Sequence, residues 1–91
     1  MLNWVKELLE LKPLIITRIE DIEFKVVKRT SKECYSAVMI QHTSTGPRIL
    51  NTVNRKGIRS ALYEFWRMVR EEFLLRSDLP ECELQKVTTQ A

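Results

Sequence analysis

Apolar and polar positions recur along this chain with two different periods. From residue 2 to residue 12, Leu2, Val5, Leu8, Leu9 and Leu11 return near every third or fourth position, while Asn3, Lys6, Glu7 and Glu10 fill the gaps. That spacing predicts an amphipathic helix. Pro13 ends it, because its ring lacks an N–H and disfavours helical geometry at Lys12. Trp4 falls on the apolar side and is expected in the core. Leu14 to Ile19 extends the apolar surface as a strand or a second short helical turn, and Glu20-Asp21 reads as a turn.

The period then changes to two. Ile22, Phe24, Val26 and Lys28 point one way, and Glu23, Lys25, Val27 and Arg29 the other, which predicts a half-buried strand over residues 22–30. Thr30-Ser31-Lys32-Glu33 is a polar turn. Cys34 to Thr43, rich in Tyr, Val and Ile, is a second strand that closes an antiparallel hairpin. Thr43-Ser44-Thr45-Gly46-Pro47 is a loop by composition, and Arg48 to Val53 is a candidate third strand.

Asn54 is placed to cap a long helix over about residues 55–76. In that helix Ile58, Leu62, Phe65, Val69 and Phe73 form one stripe for burial. A different line carries Arg59, Tyr63, Trp66, Arg67 and Arg70. Residues 77–91 read as a tail, in which Asp78-Leu79-Pro80-Glu81 can open a short helix. The expected architecture is α+β: an N-terminal helix, a three-stranded antiparallel sheet and a long C-terminal helix packed on it. The domain covers residues 1–76, a size that buries a modest core.

Composition adds little until charge is divided by position. The net charge is +3. Residues 1–24 carry net −2 and residues 71–91 net −3, whereas residues 25–70 hold ten cations against Glu33 and Glu64, net +8. Such asymmetry suggests an anionic partner. The competing reading folds the acidic ends back over the basic middle, since surface ion pairs are common and weak.

Enzymatic constellations are missing from the sequence. Two glycines exclude a P-loop and a GxGxxG turn. One histidine and two cysteines 48 residues apart make a zinc site very improbable, and no metal or cofactor is expected. Cys34 and His42, eight apart on one strand, would lie about 26 Å from each other, too far for a dyad. His42 therefore reads as an ordinary polar residue at a strand end. With no signal-like start and no long apolar run, Cys34 and Cys82 read as free thiols of a soluble, cytoplasmic protein.

The candidate surface is therefore one for polyanions. Lys25, Lys28, Arg29 and Lys32 gather on the hairpin, and Arg55, Lys56, Arg59, Arg67 and Arg70 line the helix, with Arg48 between them. All are candidate nucleic-acid contacts. Tyr63 and Trp66 interleave with the arginines, an arrangement suited to stacking bases while cations hold the backbone; packing against another part of the chain is the plainer alternative. The hydroxyls of residues 43–45 with Arg48 can hold a phosphate, although loops are also simply built of such residues.

The order helix, three strands, helix, with Arg55-Lys56-Gly57-Ile58-Arg59 opening the last helix, resembles the double-stranded RNA-binding domain. That family's second helix opens with a KKxAK cluster on phosphates, and Arg55, Lys56 and Arg59 match its basic positions. The bulky Tyr63, Phe65 and Trp66 depart from its small-residue helix interior, and Gly46-Pro47 sits one loop later than its Gly-Pro.

The expected function is non-enzymatic, sequence-independent nucleic-acid binding. The alternative is a protein-interaction module: an adaptor, an inhibitor or a viral or bacterial accessory factor. Exposed strand edges and a long helix would also suit a homodimer.

Overall fold

A computed structural model describes residues 3–30 and 33–77. The expected tail over 78–91, with Cys82 and the short helix from Asp78, lies outside the described residues, as does Lys32. The elements are α1 (Asn3–Glu10), β1 (Ile15–Ile19), β2 (Ile22–Lys28), β3 (Tyr35–Thr43), β4 (Gly46–Arg55) and α2 (Ile58–Ser77).

The sheet has four strands rather than three, in the antiparallel order β1-β2-β3-β4. The additional strand is β1, which falls within the stretch from Leu14 to Ile19 where two readings stood open. Ile15, Thr17 and Ile19 lie opposite Val26, Phe24 and Ile22, so their side chains join an apolar row already set by β2. Glu20-Asp21 makes the two-residue turn, with Glu20 in the left-handed region at φ 52°. A fourth strand removes the α-β-β-β-α order on which the resemblance to the double-stranded RNA-binding domain rested.

The two helices lie on opposite faces of the sheet. On one face Ile22, Phe24, Val26 and Ala37 pack against Ala61, Phe65 and Met68 of α2. On the other, Val27, Val38 and Ile40 pack under Leu8 of α1, with Leu9 and Leu11 beside it. β2 is consequently buried on both faces rather than half-buried. Only the C-terminal half of α1 meets the sheet. Trp4, expected in the core, stays 46% exposed for that reason.

The segment expected to be a loop at Thr43–Pro47 is a tight hairpin. Thr43 pairs with Gly46, whose φ of 122° few side-chain-bearing residues adopt. β4 is thus longer than expected. Pro47 is tolerated in it because β4 is an edge strand, where a missing N–H breaks no inner ladder. A bulge between Met39 and Ile40 leaves Leu50 without an opposite residue.

Asn54 lies within β4, and its side-chain oxygen accepts a 2.6 Å bond from the Ser36 hydroxyl, so it does not cap α2. Gly57 stands at that position instead, its carbonyl accepting from the Ala61 N–H at 3.2 Å. Of the stripe expected to be buried on α2, Phe65 is fully buried and Leu62 and Val69 are partly so. Ile58 and Phe73 at its ends are 41% and 59% exposed.

Candidate nucleic-acid interface

The cations of β2 are divided by strand parity. Lys28 pairs with Tyr35, and Tyr35 with Arg55, so these three residues form one row across β2, β3 and β4 on the α2 face. Lys56 follows Arg55 directly. It shares an open concavity with Lys28, Arg29, Thr30, Cys34 and Tyr35, with Glu33 in the same lining. Arg59 stands three residues further on, exposed in the first turn of α2. Among the described residues no carboxylate pairs with Lys28, Lys56 or Arg59. Arg55 reaches Glu64 at 3.5 Å.

Lys25 and Arg29 project to the α1 face, where both are buried. Arg29 makes a two-pronged contact with Glu7 of α1, at 3.0 and 3.2 Å, and its third nitrogen reaches Ser36 at 3.4 Å. Glu7 also accepts the Thr30 N–H at 3.0 Å. The Lys25 ammonium donates to the Leu9 carbonyl at 3.4 Å, near the C-terminal end of α1, where free carbonyls favour a cation. Burial lowers the pKa of Lys25, and the nearby Glu23 carboxylate works against that shift. These two cations fasten α1 to the sheet; Arg29 borders the concavity that Lys28 and Lys56 line, but its nitrogens are taken by Glu7 and Ser36.

Arg48 lies opposite Gln41, seven residues from Arg55 along β4 and thus about 23 Å from it. Ser44 and Thr45 form the adjoining turn, so the hydroxyl-and-arginine grouping sits at the far end of the sheet from the basic row. That far end is neutralised. Arg76, near the end of α2, bonds Glu72, Glu20 and Asp21. Hydrogen bonds from Gln41 and then Arg76 hold the Asp21 carboxyl below its ordinary pKa.

The outer face of α2 forms a second region. Tyr63 is 69% and Trp66 55% exposed, so both stand largely open rather than buried against another element. With Arg67, Arg70, Glu71 and Leu74 they line a shallow groove of about 360 Å³. Arg67 is not a free cation: it bonds Glu64 at 2.7 Å and Glu71 at 3.0 Å. The Arg67 hydrogen bond lowers the pKa of Glu64, with Coulomb attraction from Arg67 and Arg55 adding to it. Arg70 is exposed, without a carboxylate partner among the described residues.

Comparison with known proteins adds no relatives. No family model matches the chain, and no curated protein or solved structure matches it either.

His42 contacts Glu23 at 3.2 Å and lies apart from Cys34 at the opposite end of β3. Among the described residues no three His, Cys, Asp or Glu side chains cluster for a metal, and no helix is long and apolar enough to cross a membrane. Sequence reasoning did not assign Glu7, Glu64 or Glu71 to the site, although they decide which cations are free. The charge-opposed spacing of Glu64, Arg67 and Glu71 at three and four residues was the available signal for two of them. Nothing local to Glu7 signalled that it meets Arg29 from 22 residues away.

Proposed function

We propose that this protein binds nucleic acid through its phosphate backbone, without catalysis, at the end of the sheet where α2 begins. The observation that carries the reading is the Lys28–Tyr35–Arg55 row, with Lys56 in the same concavity as Lys28 and Tyr35 and Arg59 in the adjoining first turn of α2; Lys28, Lys56 and Arg59 have no carboxylate partner among the described residues. Flexible cations around a shallow concavity suit a repeating anion. Phosphate oxygens are the same at every step of a strand, so binding through them is independent of sequence. Tyr35 is half-buried in the row, and its ring offers an apolar floor between Lys28 and Arg55.

The reading uses fewer residues than charge alone suggested. Lys25 and Arg29 are engaged by α1, Arg48 is remote, and Arg67 is neutralised within α2. Four phosphate contacts correspond to a slope of roughly −3 to −4 for log affinity against log salt. Mobility shift of single- and double-stranded oligonucleotides between about 50 and 200 mM salt tests this. A complex that weakens with that steepness supports the proposal; no complex at the lowest salt removes it.

One observation favours a protein contact elsewhere on the molecule. The α2 groove carries both signs of charge together with exposed Tyr63, Trp66 and Leu74, a composition nearer to a protein interface than to a phosphate surface.

A further inference from the structure

α2 carries a second seam besides the one packed on the sheet. Arg59, Tyr63, Trp66, Arg70 and Phe73 follow one another at intervals of four, three, four and three residues. That is the a/d spacing of a helix that meets another helix along its length. The seam lies on the outer face: Tyr63, Trp66 and Phe73 are 69%, 55% and 59% exposed. Trp66 makes an edge-to-face contact with the buried Phe65, at 4.9 Å between ring centres.

We infer that a second copy of this chain covers the seam, with the two α2 helices antiparallel about a two-fold axis near Met68. In that register a positions face d positions of the other copy. Tyr63 then lies against Phe73 of the second copy, and Trp66 against Arg70, each pair occurring twice. The match is one of charge as well as shape. Arg70, which has no carboxylate partner among the described residues, meets the electron-rich face of Trp66. The Glu64–Arg67–Glu71 cluster stays outside the central layers, with Arg67 bridging the two carboxylates and Arg55 also reaching Glu64. A polyanion would meet those two carboxylates beside the groove, whereas a second copy does not have to bury them. The same surface serves both partners, as a two-fold interface demands.

A consequence follows that rests on the phosphate reading above. The antiparallel pair places the two α2 N-termini about 30 Å apart, 20 residues at the helical rise, since Ile58 lies ten residues before the axis in each copy. Each carries one basic row, and the spacing approximates one turn of duplex.

The interface is tested without nucleic acid, so its failure and that of the phosphate reading are separable. Sedimentation equilibrium of the full chain is expected to give twice 10.8 kDa at micromolar concentration. Trp66→Glu should raise the dissociation constant roughly thirtyfold or more, with an unchanged far-ultraviolet dichroism spectrum. Chains carrying Tyr63→Cys and Phe73→Cys, mixed in a Cys34→Ser, Cys82→Ser background, should form the mixed disulfide in preference to either homodisulfide. Like positions would lie about 15 Å apart along the axis, too far to bridge. A monomer up to about 100 μM, a dimer indifferent to Trp66→Glu, or homodisulfides in place of the mixed one would overturn the inference. So would quenching of Trp66 fluorescence by an oligonucleotide that is lost in Arg70→Ala, because that would put nucleic acid in the groove.

Discussion

Lys25 and Lys28 sit three residues apart on one strand and live in different environments. Lys25 is buried beneath α1, donating to a helix carbonyl; Lys28 is exposed, beside Lys56. Arg29, next to Lys28, is buried again and clasped by Glu7. Three residues shift a strand position from one face to the other, and each face here has its own helix. A cation under the short α1 is part of the architecture, whereas one beyond the reach of α2 is free for a ligand. The contrast teaches that a cluster of cations in sequence is only an upper bound on a cationic surface. The cover on each face sets the surface itself.

Substitutions can break or sharpen that contrast. The largest effect is expected on the buried side. Glu7→Ala strands the Arg29 guanidinium without its partner and also frees the Thr30 N–H, so stability should fall by about 3 kcal/mol. Urea unfolding measures it, and a loss below about 0.5 kcal/mol would mean that Arg29 is solvated. On the exposed side, Lys28→Ala with Lys56→Ala should leave stability within about 0.5 kcal/mol. Oligonucleotide affinity near 100 mM salt should fall by roughly tenfold, read by fluorescence anisotropy.

Lys25→Met sharpens the contrast at a smaller scale. Removing a desolvated charge while keeping an apolar stem should be neutral or stabilising by up to about 1 kcal/mol. Because its folded pKa lies below the unfolded one, wild-type stability should also rise with pH in the alkaline range between those two values, and this rise should vanish in Lys25→Met.

The smallest effect is at the neutralised far end. The Asp21 carboxyl ionises at lower pH folded than unfolded, so its contribution is intact above about pH 4 and lost as pH falls further. Thermal melts between about pH 5 and 2 should lose less stability in Arg76→Gln than in wild type.

Much of the architecture was legible from side-chain periodicity. The alternation in β2 and the four-and-three spacing in α2 placed both elements, because each has a face against the core. The ambiguous stretch before Glu20 was not resolved, since Ile15, Thr17 and Ile19 form a strand only by matching a row on β2. The same absence of non-local information hid the role of α1. Nothing in Val27 or Lys25 announces that a second helix lies over them, and Glu7 looks like any solvent-facing glutamate.

At the candidate site, Arg55, Lys56 and Arg59 were legible as a group because they are neighbours in sequence. Their union with Lys28 depends on the β2-β3-β4 register. Arg48 was drawn into the group by charge alone, and seven residues of extended chain carry it away. Tyr63 and Trp66 were separated correctly from the buried stripe of α2, but the spacing did not say what meets them.

The salt slope compared across three proteins tests the account most directly: wild type, Lys28→Ala with Lys56→Ala, and Lys25→Met. With two phosphate contacts removed, the double variant should lose about 2 from the magnitude of the log–log slope, while Lys25→Met should retain the wild-type value. A wild-type slope near zero, or an equal loss from all three cations, would contradict the division between buried and exposed charge on which the account stands.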